Sequence, residues 1–214
     1  MTLIFKKITF TSFFIVVAAT GVALGLKAAV GVGAWDAFSQ ASSLVTGIKV
    51  GTFSMMMNIS CVLLQMVLLK KNFKPLAFLQ IGMAVLLGVV VNIMFYQVFT
   101  QFIIEEYLIN LLLFMLSLLV VIIAVSMIMS INFLSFPLEA ACMVVADKTK
   151  IKFGTLRQMV DLLCIIGAIL IAFVYQHPSP VREGTIIGML LFGPLIARLM
   201  IQFQPFVRRL GLVD

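Results

Sequence analysis

Charged side chains interrupt apolar stretches at three positions in a chain that is 63% hydrophobic and only 11% charged: Arg157, Asp161 and Arg198. A charge at the centre of a transmembrane helix costs about 2.5–3.5 kcal/mol on insertion scales, so such residues are functional candidates by default. Arg157 and Asp161 are four residues apart, share one helix face and can pair. Asp161 lies a turn deeper and is the stronger candidate for binding an ion or substrate. For both arginines, snorkelling towards the lipid phosphates is the alternative.

Two further carboxylates, Asp36 and Glu139, stand near the starts of short polar segments, Asp36–Thr46 and Leu138–Asp147. Each segment offers about three helical turns, roughly 16 Å at 1.5 Å per residue, which is too short to cross a bilayer. An acid in the first turn interacts favourably with the helix dipole. The segments are either re-entrant half-helices, whose acids would line a cavity, or interfacial amphipathic helices, whose acids are ordinary first-turn charges.

Uncharged polar side chains complete the set of candidate binding residues, namely Thr52, Asn58, Asn92, Thr155 and Gln158. Asn58 matches Asp161 in a repeat described below, and its amide could bridge helices or donate to a substrate. The two threonines follow glycines at the starts of apolar stretches, where capping the helix is the favoured role and lining an opening is the alternative. Asn92 and Gln158 either line the polar interior of the helix bundle, as the other candidates would, or form hydrogen bonds that link helices.

Six apolar stretches must position these residues, because a hydrocarbon core of roughly 30 Å takes about 20 residues in a helix. They are Ile8–Leu26, Val50–Leu69, Pro75–Phe99, Tyr107–Ser130, Phe153–Tyr175 and Gly184–Phe203. No soluble fold of 214 residues could bury so much apolar surface. The sequence therefore predicts an all-α integral membrane protein with six transmembrane helices and the lipid bilayer as its main partner.

The segment around the second apolar stretch recurs at an offset of 103 residues, which aligns Gly51 with Gly154. Identical pairs include Ala37/Ala140, Thr46/Thr149, Ile48/Ile151, Lys49/Lys152, Thr52/Thr155 and Cys61/Cys164, and similar pairs are Asp36/Glu139 and Asn58/Asp161. Shared apolar composition does not explain the polar and glycine matches. We therefore predict two three-helix repeats, 1–104 and 105–214, each with a short re-entrant or interfacial helix after its first span. Because three is odd, the second repeat inserts upside down, an architecture found in many secondary transporters.

The net charge of +7 is explained by the placement of the basic residues. With a cytoplasmic amino terminus, the predicted inner segments carry ten lysines and arginines and the outer segments carry three. This positive-inside bias predicts that both termini are cytoplasmic. A nucleic-acid partner would need basic residues gathered on one exposed face, so we expect none.

Signatures of catalysis are absent from the sequence. The single histidine, His177, lies in a proline-rich turn, and there is no zinc-protease, serine-hydrolase or phosphate-loop motif. The cysteines Cys61, Cys142 and Cys164 lack metal-ligand spacing and are predicted to be small buried hydrophobic residues. We therefore expect no enzyme activity, no catalytic residue, no metal and no cofactor.

Two stretches, GVGAWDAF…TGIKVGTF from Gly31 and DKTKIKFGTLRQMVDLL from Asp147, resemble the bacterial YczE/YyaS/YitT-type membrane proteins. That family shows Gly-x-Gly-x-x-Asp followed by Thr-Gly-x-x-x-Gly-Thr, a pattern that the first copy here carries in full. The second copy departs from it, with Glu139 as the acid and Pro137 where glycines are expected. The resemblance implies a multi-spanning protein of the bacterial plasma membrane, in a family whose biochemical activity is largely unassigned.

Two functions fit these observations. The first is a secondary transporter or exporter of a small molecule, coupled to ions or protons and working by alternating access, with Asp36, Glu139 and Asp161 as coupling candidates. The second is a non-transporting membrane partner, either a scaffold for a biosynthetic complex or a substrate-binding subunit of a larger transporter. The architecture favours the first, but fold-level analogy does not prove a function. The substrate, the coupling ion, and whether the chain forms a homodimer or has a partner subunit stay open at the level of sequence.

Overall fold

The computed structural model describes residues 3–101 and 105–213, and every regular element in those ranges is a helix. The α-helices are, in order, α1 Leu3–Ala28, α2 Ala34–Thr46, α3 Val50–Leu69, α4 Leu79–Ile93, α5 Tyr107–Ser130, α6 Pro137–Thr149, α7 Phe153–Val174 and α8 Glu183–Arg209. Two short 3₁₀ helices, Lys70–Asn72 and Pro75–Phe78, lie between α3 and α4, and a π-helical segment, Met94–Val98, extends α4. The predicted boundary between the repeats falls on residue 104, which lies outside the described residues.

Six of these helices, counted with their flanking turns, have 22 to 27 residues and are apolar enough to cross a membrane. At a rise of 1.5 Å per residue they measure about 33–40 Å, which exceeds the thickness of the hydrocarbon core. The prediction of an all-α, multi-pass membrane protein with six spans is confirmed. Helices α1 and α8 are longer than predicted because each continues past its apolar run into basic residues, Lys6 and Lys7 in α1 and Arg208 and Arg209 in α8.

Helices α1 and α5 form the central pair of the bundle, with α4 beside α1 and α8 beside α5. Small residues of α1 lie where the two helices meet. A Cβ atom added at Gly21 would lie 2.7 Å from a methyl carbon of Val121, and one added at Gly25 would lie 3.0 Å from Ser117 Oγ. The glycines therefore permit the close approach of helices that a Gly-x-x-x-Gly spacing favours.

The short helices pack across the two halves of the chain. Helix α2 packs on α7, where the ring of Phe38 covers Gly167. Helix α6 packs on α3 in the same manner, where Cys61 joins a buried cluster with residues of α6 and Gln65 Nε2 donates to the Pro137 carbonyl at 3.2 Å. Each half therefore supplies a short helix that fills the interior of the other half.

Both short helices end through a residue in the left-handed conformation. Gly47 ends α2 with φ of 71°, and Lys150 ends α6 with φ of 62°. The amide of each donates to the carbonyl four residues earlier, that of Ser43 or Ala146. This conformation costs a non-glycine residue about 1–2 kcal/mol, yet Lys150 adopts it at the position that the repeat aligns with Gly47.

Helices α3 and α4 touch at the start of α3. Gly51 and Gly88 are in such close contact that a side chain at either would collide with the carbonyl oxygen of the other. Asn92 of α4 reaches across: its Oδ1 accepts from the Gly51 amide at 2.9 Å, and its Nδ2 donates to Thr52 Oγ1 at 2.8 Å. The hydroxyl of Tyr96 accepts a hydrogen bond from the Val50 amide, the first of α3, at 3.2 Å. Because the first amides of a helix lack intrahelical partners, α4 caps α3 from the side.

Candidate functional site

Arg157 joins two carboxylates from two helices. It forms an ion pair with Asp161, one turn further along α7, and its Nε lies 3.6 Å from Oε1 of Glu139 in α6. All three side chains are only 16–20% exposed. The predicted pairing of Arg157 with Asp161 is confirmed, and the structure adds Glu139, which the sequence did not connect to this pair.

A cavity of about 120 Å³ lies beside the ion pair. Its polar wall contains Trp35 and Asp36 from the first turn of α2, together with Arg157 and Asp161 from α7. The opposite walls come from α1, α5 and α8 and are mainly apolar, with Val22, Phe114, Leu118, Val121, Met189 and Phe192 among the lining residues. A space of this size holds several water molecules or a small organic molecule.

Asp36 and Glu139 occupy the same place in their helices, the third residue of α2 and of α6. Their predicted position in the first turn is therefore confirmed. Burial raises the pKa of the Asp36 carboxyl above its ordinary value; the positive charge of Arg157 opposes that rise, and the negative charge of Asp161 adds to it. Asp36 therefore exchanges its proton closer to neutral pH than an aspartate in water does.

The charges of the site do not balance. Three carboxylates, those of Asp36, Glu139 and Asp161, lie around the single guanidinium of Arg157. A carboxylate removed from water without a counter-charge is costly, so such groups take up a proton or pair with a cation. The arrangement therefore favours a positively charged occupant. The net charge of the site becomes more negative when that occupant or a proton leaves.

Trp35 has a buried indole N–H with no hydrogen-bond partner in the described part of the chain. The side chain lines the cavity and also packs on the buried cluster of Cys61, Leu138, Ala141 and Cys142. A buried donor without a partner costs about 1–3 kcal/mol, so an acceptor oxygen of a water molecule or ligand at this atom would be stabilising. Trp35 was not among the predicted site residues, although an amphipathic aromatic residue directly before Asp36 was a usable signal.

The remaining predicted site residues are not among those that line the cavity. Asn58 is buried and donates through Nδ2 to the Ser54 carbonyl of its own helix at 2.9 Å. Thr155 and Gln158 are exposed on α7. Asn92 binds the start of α3, so of its two predicted roles the structure selects the link between helices.

The predicted capping roles of Thr52 and Thr155 are wrong. Lys49 and Lys152 are the N-cap residues of α3 and α7, and neither lysine makes a side-chain capping hydrogen bond within the described residues. Each threonine is already the third helical residue, because the helix begins directly after the lysine. The hydroxyl of Thr52 instead accepts a hydrogen bond from Asn92.

The three cysteines are buried as predicted, with free thiols. No group of three or more His, Cys, Asp or Glu side chains arranged to hold a metal ion occurs within residues 3–101 and 105–213.

The sequence matches one family over residues 5–201, a range that includes all of the cavity lining and nearly all of the six long helices. No curated protein and no solved structure matches the chain. The family match does not test the resemblance to YczE/YyaS/YitT-type proteins, which stays an expectation. From the match over most of its length, the chain belongs to DUF6198, a family of unknown function.

Proposed function

We propose that this protein is a secondary transporter of a small molecule, coupled to protons or another cation, in the bacterial plasma membrane. The observation that carries the proposal is the cavity beside the Arg157 ion pair. The acids around it come from both short helices and from α7. Ionisable groups inside a membrane protein mark ion pathways and proton relays by default, and this cluster adjoins a space for a ligand.

The proposed inverted repeat is supported by packing that recurs in both halves. Helix α1 packs on α4 as α5 packs on α8, α2 packs on α3 as α6 packs on α7, and α2 packs on α7 as α6 packs on α3. Helices α1 and α5 are the first helices of the two proposed repeats and pack on each other. The proposed pseudo-twofold axis, which exchanges the repeats, therefore passes between them. In this reading α2 and α6 are re-entrant half-helices, and alternating access moves one repeat against the other around the shared site.

Topology provides the first test of this arrangement. Lys49 and Lys152 are exposed residues at equivalent helix starts. We expect a membrane-impermeant maleimide added to right-side-out vesicles to label Lys49→Cys, and to label Lys152→Cys only after the membrane is permeabilised. The buried native thiols should give little background. Labelling of both positions from one side of intact vesicles would contradict the inverted repeat.

The lining of the cavity suggests the class of substrate. Excess carboxylates favour a positive charge on one side, while aromatic and aliphatic side chains form the other walls. Aromatic rings at Trp35, Phe114 and Phe192 also attract organic ammonium groups through their faces. The chemistry fits a small amphipathic cation that enters as protons leave.

Flux measurements test this function with permanently charged probes. Tetramethylammonium or trimethylphenylammonium is added outside proteoliposomes that contain a pH-sensitive dye, with protein-free liposomes as the control. We expect uptake of the probe to release internal protons and to raise the internal pH only when the protein is present. Asp161→Asn and Asp36→Asn should slow this exchange about tenfold or more, because each removes a charged contact worth about 1.5 kcal/mol or more.

Two results would change the conclusion. Flux that persists unchanged in both aspartate variants would remove the assignment of the coupling residues. Absence of flux with every probe, together with a stoichiometric partner that co-purifies and restores it, would favour a substrate-binding subunit of a larger transporter.

A further inference from the structure

The two halves of the bundle differ in one packing contact. In the first half, α3 and α4 meet through Gly51 and Gly88, whose backbones leave no room for side chains. Helices α7 and α8 follow in the same order in the second half, yet they make at most a marginal contact along the described residues. This difference breaks a packing pattern that the halves otherwise share.

Glycines suited to the missing contact are present in α7 and α8. Gly154 aligns with Gly51. Gly193 ends a seven-residue stretch, Ile187–Gly193, that resembles the eight residues Ile81–Gly88 with one residue fewer between its two glycines. A Cβ atom added at Gly154 or at Gly193 would meet nothing within 4 Å. Glycine inside a helix is disfavoured relative to alanine, and the packing in this conformation gives no reason for either residue.

Neighbouring side chains show the same difference between the halves. Met55 lies on the Gly51 face of α3, and a Cβ atom added at Gly88 would lie 2.9 Å from its Cβ. The residue of α7 that aligns with Met55 is Gln158, which is exposed. Thr155 is exposed as well, whereas its counterpart Thr52 accepts a hydrogen bond from Asn92. The first two turns of α7 are therefore unpacked on the side where the equivalent turns of α3 are covered.

The space between α7 and α8 adjoins the cavity. Helix α7 supplies Arg157 and Asp161 to one wall, and α8 supplies Gly188, Met189 and Phe192 to another. The distance between these two helices therefore sets the size of the cavity, and a movement of α7 towards α8 narrows it.

We infer that α7 and α8 close against each other in a second conformation, with Gly154 against Gly193 as Gly51 is against Gly88 in this one. The inference rests on the proposed function, because in an inverted repeat the two halves exchange their conformations. The closed pair, α3 with α4, then separates as α7 and α8 meet, and the cavity changes the side from which it is reached. In each half, two glycines form the contact that closes or opens: Gly51 with Gly88 in the first half, and Gly154 with Gly193 in the second.

Spin-label distances test the closure directly. Cysteines replace Leu163 on α7 and Ile201 on α8, both lipid-facing by exposure, 67% and 73%, and alanine replaces the three buried native cysteines. We expect the labelled protein in lipid nanodiscs to show two distances, the longer one matching this structure and the shorter one reporting contact of the helices. The shorter population should change between acidic and alkaline buffer, because burial raises the pKa of the Asp36 carboxyl, whose charge beside Arg157 and Asp161 then changes with pH.

Bulky substitutions separate closure from folding. Gly154→Leu and Gly193→Leu place side chains into open space here, so both variants should fold and should unfold at the same temperature as the parent. Each should reduce the shorter-distance population about tenfold, because a side chain forced into a backbone contact is strongly destabilising. Met159→Leu, an exposed position on the other side of α7, is the matched control and should leave both populations unchanged.

Three outcomes would overturn the inference: one distance in every buffer, two distances that neither leucine variant alters, or a short distance that disappears when labelled protein is diluted with unlabelled protein. The last would assign the space between α7 and α8 to a second copy. The flux measurement distinguishes this inference from the proposed function. Flux without closure of α7 on α8 rejects only this inference. Closure without flux of any probe rejects only the transport function.

Discussion

Replacing Arg157 with alanine should destabilise the protein by about 3 kcal/mol, the lower end of the cost of leaving a buried charge without its partner. Two acids, Glu139 and Asp161, depend on this guanidinium, and Asp36 lies close enough to feel its charge. The lower end is appropriate because the side chains keep 16–20% exposure. The measurement is the free energy of unfolding, or the unfolding temperature, of the purified protein in detergent.

Two further variants identify the cause of that loss. Arg198→Ala removes an exposed arginine with no ion pair in the described residues and should be nearly neutral. Adding Glu139→Gln and Asp161→Asn to Arg157→Ala should restore more than half of the lost stability, because the carboxylates no longer need a counter-charge. An Arg157→Ala protein as stable as the parent would show that the acids are already protonated or solvated, and the charge argument for the site would fail.

Alanine at Gly51 should destabilise the protein by about 2–3 kcal/mol, the upper part of the usual cost of overpacking. The added methyl group would collide with the carbonyl oxygen of Gly88, and a backbone atom cannot rotate away as a side chain can. Separating the helices to make room would also strain the hydrogen bonds of Asn92 to the Gly51 amide and to Thr52. Gly88→Ala should behave in the same way.

The matched control is the same substitution at the aligned glycine of the other half. Gly154→Ala meets nothing within 4 Å and should be neutral or slightly stabilising, because alanine is the better helix former. The two alanine variants are therefore expected to change the unfolding temperature in opposite directions or by very different amounts. Equal effects at Gly51 and Gly154 would contradict the asymmetry between the two helix pairs.

Much of the fold was accessible from the sequence because lipid imposes simple requirements on a chain. Each span must be apolar and about 20 residues long, so the six long helices and the two short ones could be located from composition and charge. Spacing alone also predicted that Arg157 pairs with Asp161, because a helix places residues four apart on one face. The first-turn positions of Asp36 and Glu139 followed from where the short segments begin.

The sequence did not predict which helices pack against each other. Apolar helices carry little information about which neighbour they choose, since van der Waals fit rather than hydrophobicity drives their association in lipid. The contact of Glu139 with Arg157 depends on α6 crossing to pack beside α7 and α3, which no local pattern specifies. The same limit explains the error at Thr52, whose hydroxyl binds Asn92 from a separate helix rather than its own helix start.

The crossing of the short helices constrains how the protein is made. Because α3 ends at Leu69 and α6 begins at Pro137, α3 is synthesised well before its partner α6 exists. In the complete protein, Gln65 donates to Gln80 and to the Pro137 carbonyl, and α6 covers the surface around Cys61. Until α6 is made, the bond to Pro137 and the cover over Cys61 are missing. Assembly of the interior is therefore a late event, completed only after most of the chain is in the bilayer. A chain truncated before residue 137 would leave uncovered the surface of α3 that α6 covers in the complete protein.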